Sequence, residues 1–202
     1  MKNHVQTGFA CLCLAIFLTA CNGNASQTAE TPEATTLQPA EGNAVVASIV
    51  PEIPEAIKVL AEDVLVFTVY AEGVQIYECQ TNEKGQLEWK FLGPEAELRD
   101  EKGNPIGTHG SGPFWELAAD GSKVVGDPKM VKKDGVERAD DIPWLLLENV
   151  KSNGYGVLRG VTKIHRVSTK GGKAPADGCD KANAGKVVRV PYTATYYFYA
   201  GK

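Results

Sequence analysis

Val188 to Tyr199 constrains this chain more than any other stretch. Val188, Val190, Tyr192, Ala194, Tyr196 and Phe198 fall on one parity; Arg189, Thr193, Thr195, Tyr197 and Tyr199 fall on the other. Successive side chains of a strand point to opposite faces, so a β-branched and aromatic run of this kind predicts a long strand that buries one row. The chain before it reads the same way. Val64–Tyr70 suits a buried strand, Glu72-Gly73 punctuates it, and Val74–Cys79 alternates. Thr81–Gln86 predicts a turn, and Leu87, Trp89 and Phe91 share one face of the next strand. Glu95–Arg99 predicts a short strand and Asp100–Asn104 a turn. Trp115–Leu117 and Lys123–Val125 flank Asp120-Gly121, a strong hairpin signal. Trp144–Val150 and Val157–Val167 predict two longer strands around Asn153-Gly154. Pro54 to Asp63 has room for a helical turn, and 126–141 and 170–186 read as long loops of the kind that often carry function. Strands separated by turns every 8–12 residues predict an all-β, antiparallel single domain, either a sandwich or barrel-like.

The N-terminus belongs to a different class of sequence. Lys2 and His4 precede an apolar run from Phe9 to Leu18. That run is too short to span a bilayer and matches the core of a signal peptide. It ends in Leu18-Thr19-Ala20-Cys21, which resembles the bacterial lipoprotein cleavage box and implies lipidation of Cys21. Residues 22–50 are rich in Ala, Thr, Glu, Pro and Asn and hold no aromatic residue. Such a segment cannot bury enough apolar surface to offset its ordering entropy and reads as a disordered tether. The expected organisation is therefore 1–20 signal peptide, 21–50 lipidated Cys21 and tether, and 51–202 β domain. The partner implied is a membrane, reached through the lipid anchor. Asn22 follows the cysteine; by resemblance to enterobacterial lipoprotein sorting, the absence of Asp there argues against retention in the inner membrane, so the expected place is the bacterial cell envelope at the periplasmic face of the outer membrane.

Charge and cysteine usage narrow the function classes. Of 21 basic and 25 acidic side chains, only Lys2 leaves with residues 1–20, so the mature chain has 20 and 25 and a net charge near −5. No basic stripe appears, which argues against nucleic acid. Cys11 and Cys13 leave with the signal and Cys21 takes the lipid. Cys79 and Cys179 remain as a pair in an oxidising compartment, and a disulfide between them is expected. It would close a long loop, worth about 4.7 kcal/mol in the chain-entropy model.

The blocks "GVQIYECQ", "WKFLGPEAELRDEKGNPIGTHGSGPFWE", "DGSKVVG", "IPWLLL", "GCD" and "VRVPYTATYYFY" resemble the DUF3455 family over roughly residues 53 to 200. The resemblance implies no activity, because that family's function is unknown. Some fungal members carry a malate-dehydrogenase label, which this chain does not support. Gly154-x-Gly156-x-x-x-Gly160 lies between β-like segments, whereas a dinucleotide fingerprint needs strand, glycine turn and helix together. No cofactor is expected.

Gly107-Thr-His-Gly-Ser-Gly-Pro-Phe-Trp-Glu116 is the segment most open to a functional reading. Its glycines and Pro113 suit a backbone corner between strands. Its His109, Ser111, Trp115 and Glu116 suit the rim of a ligand site, with aromatic rings beside polar groups. Ser111 does not stand in G-x-S-x-G, since His109 and Pro113 occupy the outer positions. His109 and His165 are the mature chain's two histidines; with a carboxylate they would suffice for a transition metal only if the fold joined them. The function expected is that of an envelope-anchored lipoprotein with a non-catalytic domain that binds a small-molecule or polymeric ligand or serves as an interaction module. The alternative is a hydrolase using His109 with Glu116 or Asp120, the minimum for acid–base work. The two separate on structure: a pocket containing Trp115 favours binding, and a carboxylate on His109 favours hydrolysis.

Overall fold

The computed structural model describes residues 51–201. The signal peptide, Cys21 and tether assigned above lie outside the described residues. A short 3-10 turn, Glu55–Ile57, precedes ten strands: β1 (Val64–Thr81), β2 (Leu87–Arg99), β3 (Pro105–Gly110), β4 (Phe114–Leu117), β5 (Lys123–Val125), β6 (Val131–Lys133), β7 (Leu145–Leu147), β8 (Lys151–Ser152), β9 (Val161–Gly171) and β10 (Val187–Ala200). They form one antiparallel sheet in the order β6-β7-β9-β10-β1-β2-β3-β4-β5-β8, curled into a half-barrel. The all-β expectation holds, and the choice between sandwich and barrel resolves as a single sheet wrapped part of the way round.

The curl follows from which residues cross the concave face. One transverse row runs Tyr192, Gly73, Ala96, His109, Trp115 and Val124 through six adjacent strands. Its second and third members are the smallest residues available. A Cβ on Gly73 would lie 2.2 Å from the Glu95 carbonyl oxygen, so neighbouring backbones approach there as no side chain would allow. Gly73 thus does not end a strand, as its place after Glu72 led us to expect; it bends a strand that continues for 18 residues. The bend brings Val150, just before β8, back to β9, where its N–H donates to the Thr162 carbonyl at 3.0 Å.

The core fills the concave side. Val69, Leu98, Trp115, Val124, Leu147, Leu158, Ile164, Tyr196 and Phe198 are buried together. A smaller cluster of Val167, Tyr197 and Tyr199 lies on the other face, packed with Ile53, Val59 and Trp144. The alternation read along Val188–Phe198 therefore becomes two packed faces toward its C-terminal end. His165 belongs to this second face. Its Nε2–H donates to the Ile57 carbonyl at 2.5 Å, and the Tyr199 hydroxyl donates to Nδ1 at 3.2 Å.

Several segments depart from expectation for local reasons. Glu95–Arg99 is not separate but continues the strand begun at Leu87. Of Trp144–Val150 only Leu145–Leu147 pairs as a strand, and the strand expected from Val157 begins at Val161, after a turn through Gly160. The 126–141 loop contains the edge strand β6. The 172–186 loop is tied to β1 by the expected Cys79–Cys179 disulfide, 100 residues apart in sequence. Backbone bonds reinforce the tie: Cys79 N–H to Lys186 carbonyl and Gly185 N–H to Cys79 carbonyl, each 2.9 Å.

Candidate functional site

The opening between the curled sheet and the 126–144 segment is a cavity of about 560 Å³. That volume is within the usual range for small-molecule sites. Strands β1 to β4 supply one wall; β6, β7, β9 and β10 supply the other. Trp115 is its central aromatic. The His109 ring stacks on it at 4.3 Å between centroids with 14° between planes, and Tyr196 meets both rings edge-on, each at 5.2 Å.

This cluster arises from the β3–β4 hairpin. His109 and Trp115 are directly opposed in register, which places both rings on the concave face. The turn between them passes through Gly112 at φ +99°, a backbone region that favours glycine, and its position is open, with nothing near a Cβ placed there. The segment is a corner, and Gly112 and Pro113 line the cavity.

Hydrogen bonding fixes the chemistry of His109. Its Nδ1–H donates to the Phe114 carbonyl at 2.7 Å, so Nε2 carries a lone pair and accepts from the Tyr196 hydroxyl at 3.2 Å. Burial pushes the imidazole down to about 3, only partly offset by the Phe114 carbonyl, with the Arg166 charge lowering it further. The ring is therefore neutral at physiological pH and makes no bond to a carboxylate. Burial likewise raises Tyr196, Tyr77 and Tyr192, keeping all three phenols protonated. The Tyr77 hydroxyl donates to the Gly172 carbonyl at 2.7 Å.

The other residues singled out in the sequence fall elsewhere. Glu116 alternates with Trp115 onto the opposite face and pairs with Lys123 at 2.9 Å. Asp120 accepts from the N–H groups of Ser122 at 2.9 Å and Val157 at 2.8 Å. Ser122 and Val157 hold its carboxyl below the usual range. Neither carboxylate reaches His109, so the dyad needed for hydrolysis is not assembled. Ser111 is exposed in the hairpin turn, its hydroxyl 3.4 Å from the Leu92 carbonyl. His165 lies across the sheet from His109, and the two do not converge.

Two cavity residues were not anticipated: Gln75 and Arg166. Gln75 shares its parity with the buried Ala71 and Tyr77 on β1, and Arg166 shares its parity with the buried Ile164 on β9. A polar residue on the buried parity was the available signal. Gln75 is 2% exposed and Trp115 1% exposed. Gln75 Nε2, Trp115 Nε1 and Arg166 Nε are buried without a hydrogen-bond partner among the described residues. Arg166 Nη2 donates to the Pro143 carbonyl at 2.9 Å.

Fold and site together define a half-barrel β domain with a mainly apolar cavity on its concave face. The chain belongs to DUF3455, a protein family of unknown function, whose model matches residues 60–200. No curated protein and no solved structure matches it.

Proposed function

We propose that this protein is an envelope lipoprotein whose β domain binds a small molecule in the concave cavity without transforming it. In this reading Cys21 carries the lipid, residues 22–50 join the anchor to the domain, and the domain works at the periplasmic face of the outer membrane. The cavity carries the reading. It is large enough for an organic ligand, its walls are mainly apolar, and Gln75 and Trp115 present buried N–H groups that lack acceptors. Buried polar groups are normally satisfied, so unsatisfied ones on residues that line a cavity are candidates for completion by a ligand's acceptors. His109 then serves as a neutral, tautomerically fixed wall that positions Trp115.

The test is native mass spectrometry of the protein purified from its own membranes, combined with a thermal-shift screen of envelope metabolites and glycans. A retained or stabilising small molecule is expected. Val131→Trp, which places an indole in the cavity wall, should abolish the effect. Unchanged binding by that variant would move the site elsewhere. Failure of any compound to co-purify or to raise the melting temperature would overturn the binding reading.

A further inference from the structure

Charge is distributed unevenly between the cavity and the rest of the molecule. The chain as a whole is acidic, yet the cavity is lined by two cations, Arg166 and Lys133, and by no Asp or Glu. Neither cation forms a salt bridge among the described residues, although neighbouring Lys132 pairs with Glu148 and nearby Arg138 with Asp134. Arg166 is held in place rather than waving in solvent. It sits on β9 between Leu145 of β7 and Tyr196 of β10, all in one transverse row facing the cavity. One of its N–H groups is bonded to the Pro143 carbonyl, while Nε–H is buried and unpartnered. Its charge reaches the interior, where it adds to the lowering of His109 by burial and partly opposes the raising of Tyr77, Tyr192 and Tyr196 by burial.

A guanidinium without a counterion in an apolar recess is an incomplete pair. Carboxylate is its best geometric match, because the planar fork and the two carboxylate oxygens form parallel charge-assisted hydrogen bonds. Most of the remaining lining is apolar and includes Phe91, Leu92, Leu145, Leu147 and Trp115. We propose that the cavity takes an amphiphilic monocarboxylate, its anion on Arg166 with Lys133 beside it and its apolar body against Trp115 and the leucines. This inference rests on the ligand-binding reading above and assigns Arg166 as the residue that selects charge.

The experiment uses the full mature protein and a matched pair of probes, decanoate and decanamide, titrated by isothermal calorimetry. The wild type should bind decanoate about tenfold or more tightly than the amide, the increment expected of one charge-assisted pair. Arg166→Met should bring the two to equal affinity, by weakening decanoate binding far more than decanamide binding. Arg166→Lys, which keeps a charge but loses the fork, should retain part of the preference and guards against a Met variant that fails to fold. Equal affinity of the wild type for both probes would overturn the charge assignment and leave cavity binding standing. Binding of neither probe would also overturn it, while ligand retention in native mass spectra would decide the cavity reading separately. A charge preference that survives in Arg166→Met would place the anion on another residue.

Discussion

Lowering the pH from 7 to 5 should destabilise this domain through His109, because the buried native ring resists protonation. The ring is 4% exposed and its pKa is pushed down from 6.5 to about 3. The sign follows from which state takes the proton. Below pH 6.5 the unfolded chain protonates this histidine and the native ring does not, so protons favour unfolding until pH approaches 3. At 1.36 kcal/mol per unit, the 1.5 units between 6.5 and 5 amount to about 2 kcal/mol. For a domain of this size that corresponds to a fall in melting temperature of roughly 4–8 °C. His165 is also lowered by burial and adds a slope of the same sign. His109→Gln isolates the first contribution. The glutamine is less stable at every pH because it lacks the stacked ring, but it should lose about 2 kcal/mol less than the wild type between pH 7 and pH 5. Denaturant titrations at half-unit pH steps measure the two slopes, and the His109 ring ¹⁵N shifts report the tautomer directly. Equal slopes, or a His109 that titrates near 6.5, would refute the assignment of a buried neutral ring.

Three further outcomes test separate parts of the structure. Cys79→Ser with Cys179→Ser should lower stability by up to about 4.7 kcal/mol, read by urea unfolding, because the bridge closes the long loop that returns the 172–186 segment to β1; a loss below about 1 kcal/mol would show that the backbone bonds at Cys79 suffice. Gly73→Val should prevent folding or destabilise far more than Gly112→Val, since a Cβ at Gly73 would lie 2.2 Å from a backbone oxygen while Gly112 has only its positive φ to lose; the reverse order in thermal melts would refute the account of the curl. Cys21→Ser should release the protein from membranes, and a variant that still sediments and resists carbonate extraction would refute the anchor.

The sequence made the strands legible where parity was unbroken and illegible where curvature mattered. Val188–Tyr199 announces β10 and one buried row, though not the second packed face of Tyr197 and Tyr199, and Asp120-Gly121 announces its hairpin, because each signal is local. Gly73 was read as punctuation, since a glycine that ends a strand and one that admits a neighbouring backbone look alike until the partner, here Glu95 and Ala96, is known. The same limit applied at the site. His109 and Trp115 stood out by composition, and their stacking follows from a register that only the hairpin sets. Glu116 was paired with His109 by proximity in sequence, yet its place next to Trp115 put it on the opposite face. Arg166 was hidden in a run that scans as an ordinary strand, and only its parity against Ile164 marked it as inward.

That parity makes Gln75 and Arg166 energetically costly for the domain. Each buried, unpartnered polar group costs about 1–3 kcal/mol, against a net stability of roughly 5–15 kcal/mol for a typical domain. A chain selected for stability alone would carry leucine or methionine at such positions. Gln75→Met keeps the length of the side chain and removes the orphaned Nε2. If Gln75 is there for a ligand, the variant should be more stable than the wild type by about 1 kcal/mol or more, raising the melting temperature by about 2–4 °C per kcal/mol, while its affinity for whatever the cavity binds falls. If the amide is structural, replacing it should instead lower stability with no specific effect on binding. A Gln75→Met variant that melts below the wild type would therefore count against a ligand role for this residue, whatever the cavity's volume.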